Sequence, residues 1–438
     1  MLPNWETTPT DLPKAVREIK KAIRANIEAS GRSVEEVFAV VEERIRREVD
    51  DVKLGQAWPV IDYADIEAGT ADTDLVRRRG CLVVCGHFAR EQALAWDRSI
   101  VDYVESNDFF ENYRGPGDDF FGSVGSKPEI YPIYWSPAQI EARRHERMAT
   151  VQQFLNGLWH HDGWFDPARD VGYPDRIRRR PPGTDSNGLG THLDPGTLDL
   201  WMTREYQQAF RHLFNGTPEQ YDPWDAAHRT TGPQYPGTTM CSVFRTFQGW
   251  TALSDMAHDQ GVLHTVPIPG AMAYLMLRPL LDDVADDDMC GVTVNQVFPI
   301  NSKYHSLLLE ALTGIPDVHA GDSVWWHCDM IHSVAPVQNQ QGWGNVMYIP
   351  AAPWCARNER YAVEIERAHA TGSSPSDFPE EHYERAWPNR GQANNTRNTA
   401  PSPGVVSSST RHPCAATSAA TIASPSPVPP GPRAGSAR

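Results

Sequence analysis

The chain has 438 residues, with 40 basic side chains against 56 acidic ones and a formal net charge of −16. This acidic balance argues against a general nucleic-acid-binding protein, which needs a basic surface to meet phosphate groups. No apolar run reaches the roughly 20 residues of a membrane-spanning helix. The N-terminus lacks a secretory signal pattern, and the seven cysteines form no CxxC pair. We therefore expect free thiols and a cytoplasmic protein.

The first 75 residues predict a helical segment, 1–75. Apolar side chains recur at helical spacing in its first helix, at Val16, Ile19, Ile23 and Ile27. Ser33 followed by Glu36 forms a capping box, which is typical of the start of a second helix.

Strand-like patterns begin after residue 76. GCLVVCGHF at 80–88 is a short apolar run between glycines, and the chain from 172 to 353 consists mostly of short strand-like runs separated by Gly, Pro and Asp. Many short strands with turn signals are typical of β-sandwiches and barrels. We predict a mainly β domain over 76–360, with helical insertions.

The C-terminal part predicts a last helix within 361–390 and a disordered tail over 391–438. The tail contains no aromatic residue and no leucine, and it is dominated by Ser, Pro, Ala and Thr. Such a segment cannot bury enough apolar surface to offset the entropy of ordering it.

One short motif, THLD, places His192 and Asp194 two positions apart. On an extended chain such residues project to the same side, so an imidazole and a carboxylate would point together. His332 follows a Gly-Asp turn and an aromatic strand in GDSVWWHCDMIH and can supply a third ligand. Two histidines and one carboxylate form the facial triad of non-heme Fe(II) oxygenases, which leaves three metal positions open.

These motifs resemble the Fe(II)/2-oxoglutarate-dependent oxygenase superfamily, especially its phytanoyl-CoA hydroxylase-like branch. After the HxD pair come WTALSD, GVLHTVP and GDSVWWH, in the order that this branch uses. Residues 10–388 also resemble a family of bacterial and fungal proteins assigned to the same superfamily, through FRTFQGWTALSD, WWHCDMIHSV and YIPAAPWC.

The resemblance implies a double-stranded β-helix (jelly-roll) core. It also implies Fe(II) held by His192, Asp194 and His332, with 2-oxoglutarate and O₂ as cosubstrates. The implied reaction converts 2-oxoglutarate to succinate while a substrate C–H bond is oxidised.

The sequence departs from the superfamily pattern at the cosubstrate anchor. An Arg or Lys shortly after the distal histidine commonly pairs with the far carboxylate of 2-oxoglutarate, but HSVAPVQNQQGWGNVMYIP contains neither. Arg245 is our first candidate, because an unpaired cation in its apolar strand would be costly; a structural salt bridge is the alternative. Arg357 is the second candidate, with a surface position as its alternative.

A competing ligand set lies in the same region. His327 and Asp329 form another HxD pair, and His382 is a conceivable distal partner. His382 lies in the polar, helix-like segment PEEHYERAWPN, with no strand after it. We therefore predict that His327 is a core histidine or one that supports a ligand.

The sequence favours an enzyme: an Fe(II)/2-oxoglutarate-dependent oxygenase that oxidises an unactivated C–H bond of a small metabolite. Hydroxylation, desaturation and cyclisation all fit, as do an amino acid and a secondary-metabolism intermediate as substrate. Two alternatives stay open. One is a jelly-roll metalloenzyme that does not use 2-oxoglutarate, such as a cupin-type dioxygenase or isomerase, which the missing late arginine favours. The other is a non-catalytic binding protein on the same fold.

Overall fold

Two β-sheets lie at the centre of the molecule, with helices packed on the outer face of each. The computed structural model describes residues 2–115, 128–194, 197–231, 242–294 and 296–392. The predicted disordered tail lies outside these residues from position 393 onward. No helix of the described part is long and apolar enough to cross a membrane.

The strands in the described residues are numbered in chain order. They are β1 (Val60–Asp62), β2 (Cys81–Cys85), β3 (Ile130–Tyr131), β4 (Asp166–Asp170), β5 (Ile177–Arg178), β6 (Leu189–Leu193), β7 (Phe247–Ala252), β8 (Leu263–Thr265), β9 (Phe298–Pro299), β10 (Thr313–Gly314), β11 (Ser323–His327), β12 (His332–Val334), β13 (Val346–Tyr348) and β14 (Pro353–Trp354).

The helices are numbered in the same way. They are α1 (Leu12–Glu28), α2 (Val34–Leu54), α3 (Tyr63–Ala68), α4 (Thr73–Arg79), α5 (Arg90–Glu105), α6 (Phe109–Asn112), α7 (Pro137–Arg144), α8 (Glu146–Asn156), α9 (Asp199–Met202), α10 (Arg204–Ala209), α11 (Arg211–Phe214), α12 (Ala271–Leu277), α13 (Ser302–Leu309) and α14 (Ala356–Thr371). Short 3₁₀ turns occur at Pro218–Gln220, Arg229–Thr231, Arg278–Leu280 and Tyr383–Ala386.

The two sheets bring together strands that are distant in the sequence. The larger sheet has the order β1-β2-β11-β7-β13-β5-β3, and the smaller has the order β10-β8-β12-β6-β9. Strands β4 and β14 form a separate pair. Neighbouring strands are antiparallel, except that β1 runs parallel to β2.

Alternate residues of the larger sheet face two different apolar layers. In β2, Cys81 and Val83 belong to the layer between the two sheets, whereas Leu82 and Val84 pack under α5, α7 and α8. Strands β7 and β11 show the same alternation. Because both faces are buried, β2 (CLVVC) is apolar throughout. The polar residues of β7 and β11, such as Gln248 and Ser323, are buried as well.

Helices α1 and α2 cover the smaller sheet. Their apolar faces share a core with Leu193 of β6 and Phe298 of β9. The capping box of Ser33 and Glu36 opens α2, as the sequence predicts. The N-terminal segment is not wholly helical, because β1 lies within 1–75 and extends the larger sheet.

The expectation of a mainly β fold is corrected to mixed sheets with helices, since helices hold 40% of the described residues and strands 15%. Helix α12 shows why helices were missed. All of its residues are buried, so AMAYLML has no polar face and no helical period. The C-terminal helix α14 begins earlier than predicted, at Ala356, and ends at Thr371.

The expectation of free thiols holds only in part. Cys81, Cys290, Cys328 and Cys355 are free and buried. Cys85 is disulfide-bonded.

One buried lysine ties α1 to the segment after α12. Lys20 is fully buried, and its Nζ donates to the carbonyl oxygens of Val284, Ala285 and Asp288 at 3.4, 2.8 and 3.0 Å. Burial lowers the pKa of this amine. An ammonium group has three donors and no acceptor, so these three carbonyls use its full capacity.

We expect Lys20→Met to lower the free energy of unfolding by about 2–5 kcal/mol, because three carbonyl oxygens lose their donor. Urea denaturation measures the change. Lys21→Met is the matched control: this neighbour is exposed, and its loss should change stability by no more than about 0.5 kcal/mol. Equal effects of the two variants would contradict the role of Lys20.

Candidate metal centre

The three predicted ligands come together in the space between the sheets. His192 in β6 lies directly opposite His332 in β12, and their ring centroids are 4.3 Å apart. Asp194 follows the end of β6. One ligand atom of each residue lies within 4.8 Å of the others. Leu193 belongs to the layer under α1 and α2, so strand alternation turns its two neighbours inward.

Both histidines are oriented by backbone carbonyl groups. His192 Nδ1 lies 2.6 Å from the Gly190 carbonyl oxygen, and His332 Nδ1 lies 2.9 Å from that of Met330. A carbonyl oxygen can only accept, so each Nδ1 carries a proton and the Nε2 of a neutral ring keeps its lone pair. Histidines that bind metals commonly use this arrangement.

The lone pairs converge on one place. Asp194 Oδ1 lies 3.2 Å from His192 Nε2 and 3.7 Å from His332 Nε2. Three acceptor atoms this close repel each other unless a cation, either a proton or a metal ion, neutralises them. Two imidazoles and one carboxylate fit a divalent transition-metal ion, with further coordination positions left for other ligands.

Burial and mutual charge set the protonation states. Burial, with the neighbouring His192, lowers the pKa of His332 to about 4. Burial alone would raise the pKa of Asp194, but the two histidines hold it well below its usual value. Burial lowers the pKa of His192. The hydrogen bond and the negative charge of Asp194 raise it by more, so the pKa of His192 lies above its usual value. The Asp194 carboxylate is therefore anionic and the His332 imidazole neutral.

Arg245 lies at the metal end of this space. Its Nη2 is 3.9 Å from Asp194 Oδ2, and its side chain is 15% exposed. Arg357, in contrast, is buried at the start of α14, where Nε donates to the Ser242 carbonyl oxygen at 2.7 Å. Its alternative interpretation as a surface residue is wrong. The roles of both arginines toward a cosubstrate stay predictions.

Two further polar groups face the same space from the larger sheet. Gln248 lies opposite Trp326 in the β7–β11 pairing, and the Trp326 ring is 5.6 Å from that of His332. Within the described ranges, Gln248 Nε2 and Trp326 Nε1 are buried without a hydrogen-bond partner. An unpaired buried donor is costly, so both groups can donate to an acceptor that enters this space. In an apolar strand, Gln and Trp side chains usually belong to the core. The sequence therefore gives little indication that Gln248 and Trp326 line a site.

The competing HxD pair has a structural role. His327 Nε2 donates to the Pro223 carbonyl oxygen at 3.1 Å, while Nδ1 accepts from the Asp329 backbone N–H at 3.1 Å. Both ring nitrogens are thus used, and no lone pair remains for a metal. Asp329 forms a buried ion pair with Arg229 at 2.7 Å. His382, the distal partner of this set, instead accepts from the Ser374 backbone N–H.

Known proteins from bacteria and a fungus resemble this chain over most of its length. It is 56% identical over 400 residues to protein YbiU of Escherichia coli (strain K12), which covers 88% of this chain and 94% of that protein. A Salmonella typhimurium LT2 protein, named as a candidate oxidoreductase, has a crystal structure with 54% identity and a TM-score of 0.84, covering 91% of this chain and 98% of that one.

A more distant relative shares the fold. GlcNAc Inducible Gene 2 (GIG2, DUF1479) from Candida albicans is 24% identical, with a TM-score of 0.68 over 88% of this chain and 87% of that one. The Gig2-like family model matches residues 10–404. Because that match and the identity to YbiU each span most of the sequence, the chain belongs to the Gig2-like family.

Proposed function

We propose that this protein is an Fe(II)- and 2-oxoglutarate-dependent oxygenase that oxidises an unactivated C–H bond of a small metabolite. The observation that carries the proposal is the convergence of His192, Asp194 and His332, with both Nδ1 protons held by carbonyl groups. Two histidines and one carboxylate with open positions are characteristic of non-heme Fe(II) oxygenases. Iron bound there would supply the redox chemistry that activates O₂ with electrons from 2-oxoglutarate.

The strand pairing supports a double-stranded β-helix as the core. Leave out β9, the edge strand beside β6, and number the other strands from β5 to β13 from one to eight. The first then pairs with the eighth, the second with the seventh, the third with the sixth and the fourth with the fifth. A long hairpin wound into two sheets produces this order, and jelly-roll folds have eight strands of this kind.

The chain's own groups have separable roles in this proposal. The Gly190 and Met330 carbonyl groups hold the two imidazoles in the metal-binding orientation. Gln248 and Trp326 offer N–H donors to an oxygen-rich ligand beside the metal. Arg245, close to Asp194, is suited to an anionic group at the metal itself, and the buried Arg357 is kept as a more distant candidate.

We expect the wild-type protein, loaded with Fe(II) without oxygen, to bind one iron per chain. Asp194→Asn and His332→Gln should weaken iron binding by at least about 10- to 100-fold, the loss that even outer partners of metal ligands cause. Metal analysis after desalting and calorimetric titration measure the change.

His327→Gln is the matched control for this experiment, because His327 is a buried histidine of a neighbouring HxD pair with both nitrogens in use. It should keep full iron binding even where stability falls. Iron retained by the Asp194 and His332 variants, but lost from the His327 variant, would refute the assignment of the centre.

We expect the iron-loaded protein to release succinate from 2-oxoglutarate in the presence of O₂, and His192→Ala to abolish that release. His192 supplies one of the two imidazoles, and without it the metal would keep only two protein ligands. Succinate is quantified by mass spectrometry, with His327→Gln again as the control that keeps activity.

The two alternatives predict different results in related measurements. A jelly-roll metalloenzyme of another type would bind iron but give no calorimetric signal with 2-oxoglutarate under anaerobic conditions. A non-catalytic binding protein would never hold more than traces of iron or another divalent metal.

A further inference from the structure

Arg178 is a buried arginine in the interior between the sheets. Its neighbour Ile177 belongs to the layer under the helices, so strand alternation turns Arg178 to the opposite, inner face. It lies in register with Val346 of β13, which belongs to the layer between the sheets. Only 8% of Arg178 is exposed.

Arg178 has no carboxylate partner among the residues that the structure describes. Its Nε donates to the Gly344 carbonyl oxygen at 3.3 Å, and its Nη2 lies 3.7 Å from the sulfur of Met256. A buried guanidinium without an anion is costly. This cost indicates a place where a ligand supplies the missing negative charge.

The neighbouring arginines of the same run have structural partners. Arg176 pairs with Asp175, and Arg179 forms two hydrogen bonds with Asp97 at 3.1 Å each. Arg180 donates to the carbonyl oxygens of Gln260 and Gly261. Arg178 therefore differs from Arg176 and Arg179 in lacking a carboxylate partner. It differs from Arg180 in having one carbonyl partner instead of two, although Arg180 Nε is also buried without a partner among the described residues.

Tyr348 lies on the same inner face as Arg178, and its backbone N–H donates to the Arg176 carbonyl oxygen at 3.3 Å. It follows Val346 by two positions in β13 and lies opposite Trp250, a member of the layer between the sheets. Burial raises the pKa of Tyr348, and the strongest opposing charge is that of Arg178. The Tyr348 phenol and the Arg178 guanidinium thus face the same interior, where the only carbonyl acceptor that the described residues give the guanidinium is that of Gly344.

We propose that Arg178 and Tyr348 bind the distal carboxylate of 2-oxoglutarate. This inference rests on the proposed function. The 2-oxo acid end of the ligand would lie at the metal ligands of the smaller sheet, and the distal carboxylate would reach Arg178 across the interior. The guanidinium offers two parallel N–H donors and the hydroxyl offers one O–H donor. A carboxylate can accept hydrogen bonds from all of them.

This assignment explains why β13 needs no basic residue. The segment after His332 has no Arg or Lys through Tyr348, but β5 pairs with β13 and presents Arg178 directly beside Val346. The charge expected on one strand is supplied by the adjacent one. Arg245, which lies against Asp194, is at the metal end and is poorly placed for the far end of a ligand that chelates the metal.

The test is anaerobic calorimetric titration of the Fe(II)-loaded protein with two ligands. One is 2-oxoglutarate; the other is 2-oxopentanoate, which has a methyl group in place of the distal carboxylate. We expect Arg178→Gln to weaken 2-oxoglutarate binding by about 10- to 100-fold, since it loses a charged hydrogen-bond pair. The affinity for 2-oxopentanoate should stay within about 3-fold, because that ligand never contacts Arg178 by a charge.

Two further variants separate binding from folding. Tyr348→Phe removes one hydroxyl and should weaken 2-oxoglutarate binding by about 2- to 10-fold, again without affecting 2-oxopentanoate. If Arg178→Gln does not fold, the Tyr348→Phe variant still tests the inference. Arg180→Gln is the matched control, since Arg180 is a buried arginine of the same run with carbonyl partners; both ligands should bind it as they bind the wild type.

The outcomes distinguish the inference from the proposed function. Unchanged 2-oxoglutarate affinity in both Arg178→Gln and Tyr348→Phe would overturn the inference and leave the proposed function intact. An equal loss of both ligands would show a structural role for these residues and would also overturn the inference. Failure of the iron-loaded wild type to bind 2-oxoglutarate at all would overturn both.

Discussion

The antiparallel pairing of β6 with β12 is the constraint on which the candidate centre depends. It places His192 opposite His332, and in each strand the imidazole donates to the carbonyl group two residues earlier. Side chains alternate along a strand, so a shift of one residue would turn either histidine into the apolar layer under α1 and α2. Register and ring orientation are thus determined by backbone groups, before any metal is bound.

Tight packing also fixes the register of β7 and β11 in the larger sheet. Gly249 of β7 illustrates how tightly they are packed, because a Cβ atom there would lie 2.3 Å from the Trp325 indole of β11. The two residues are paired across the strands, so only glycine lets the indole lie over β7. Gln248 and Trp326 are the next pair in this register, and they face the interior because Gly249 and Trp325 face the helices.

The sequence predicts the convergence of His192, Asp194 and His332 better than it predicts their surroundings, for a physical reason. The spacing of His192 and Asp194 has a meaning on any extended chain, and the capping box before α2 is equally local. Arg178 has no such local signal: it stands in the basic run RIRRR, and only the pairing of β5 with β13 shows that its side chain points inward. Helix α12 is missed because burial on all sides removes the polar face that reveals a helix.

In our proposal, the charges of the interior favour a dicarboxylate as the ligand. Asp194 is the carboxylate among the candidate metal ligands, whereas a divalent ion and Arg178 would add three positive charges at two separate places. In a space of low dielectric constant such charges are costly unless anions neutralise them. A monoanion would neutralise only one place, while a dianion that spans the interior reaches both. Metal and dicarboxylate should therefore strengthen each other's binding, because each supplies charge that the other's site lacks.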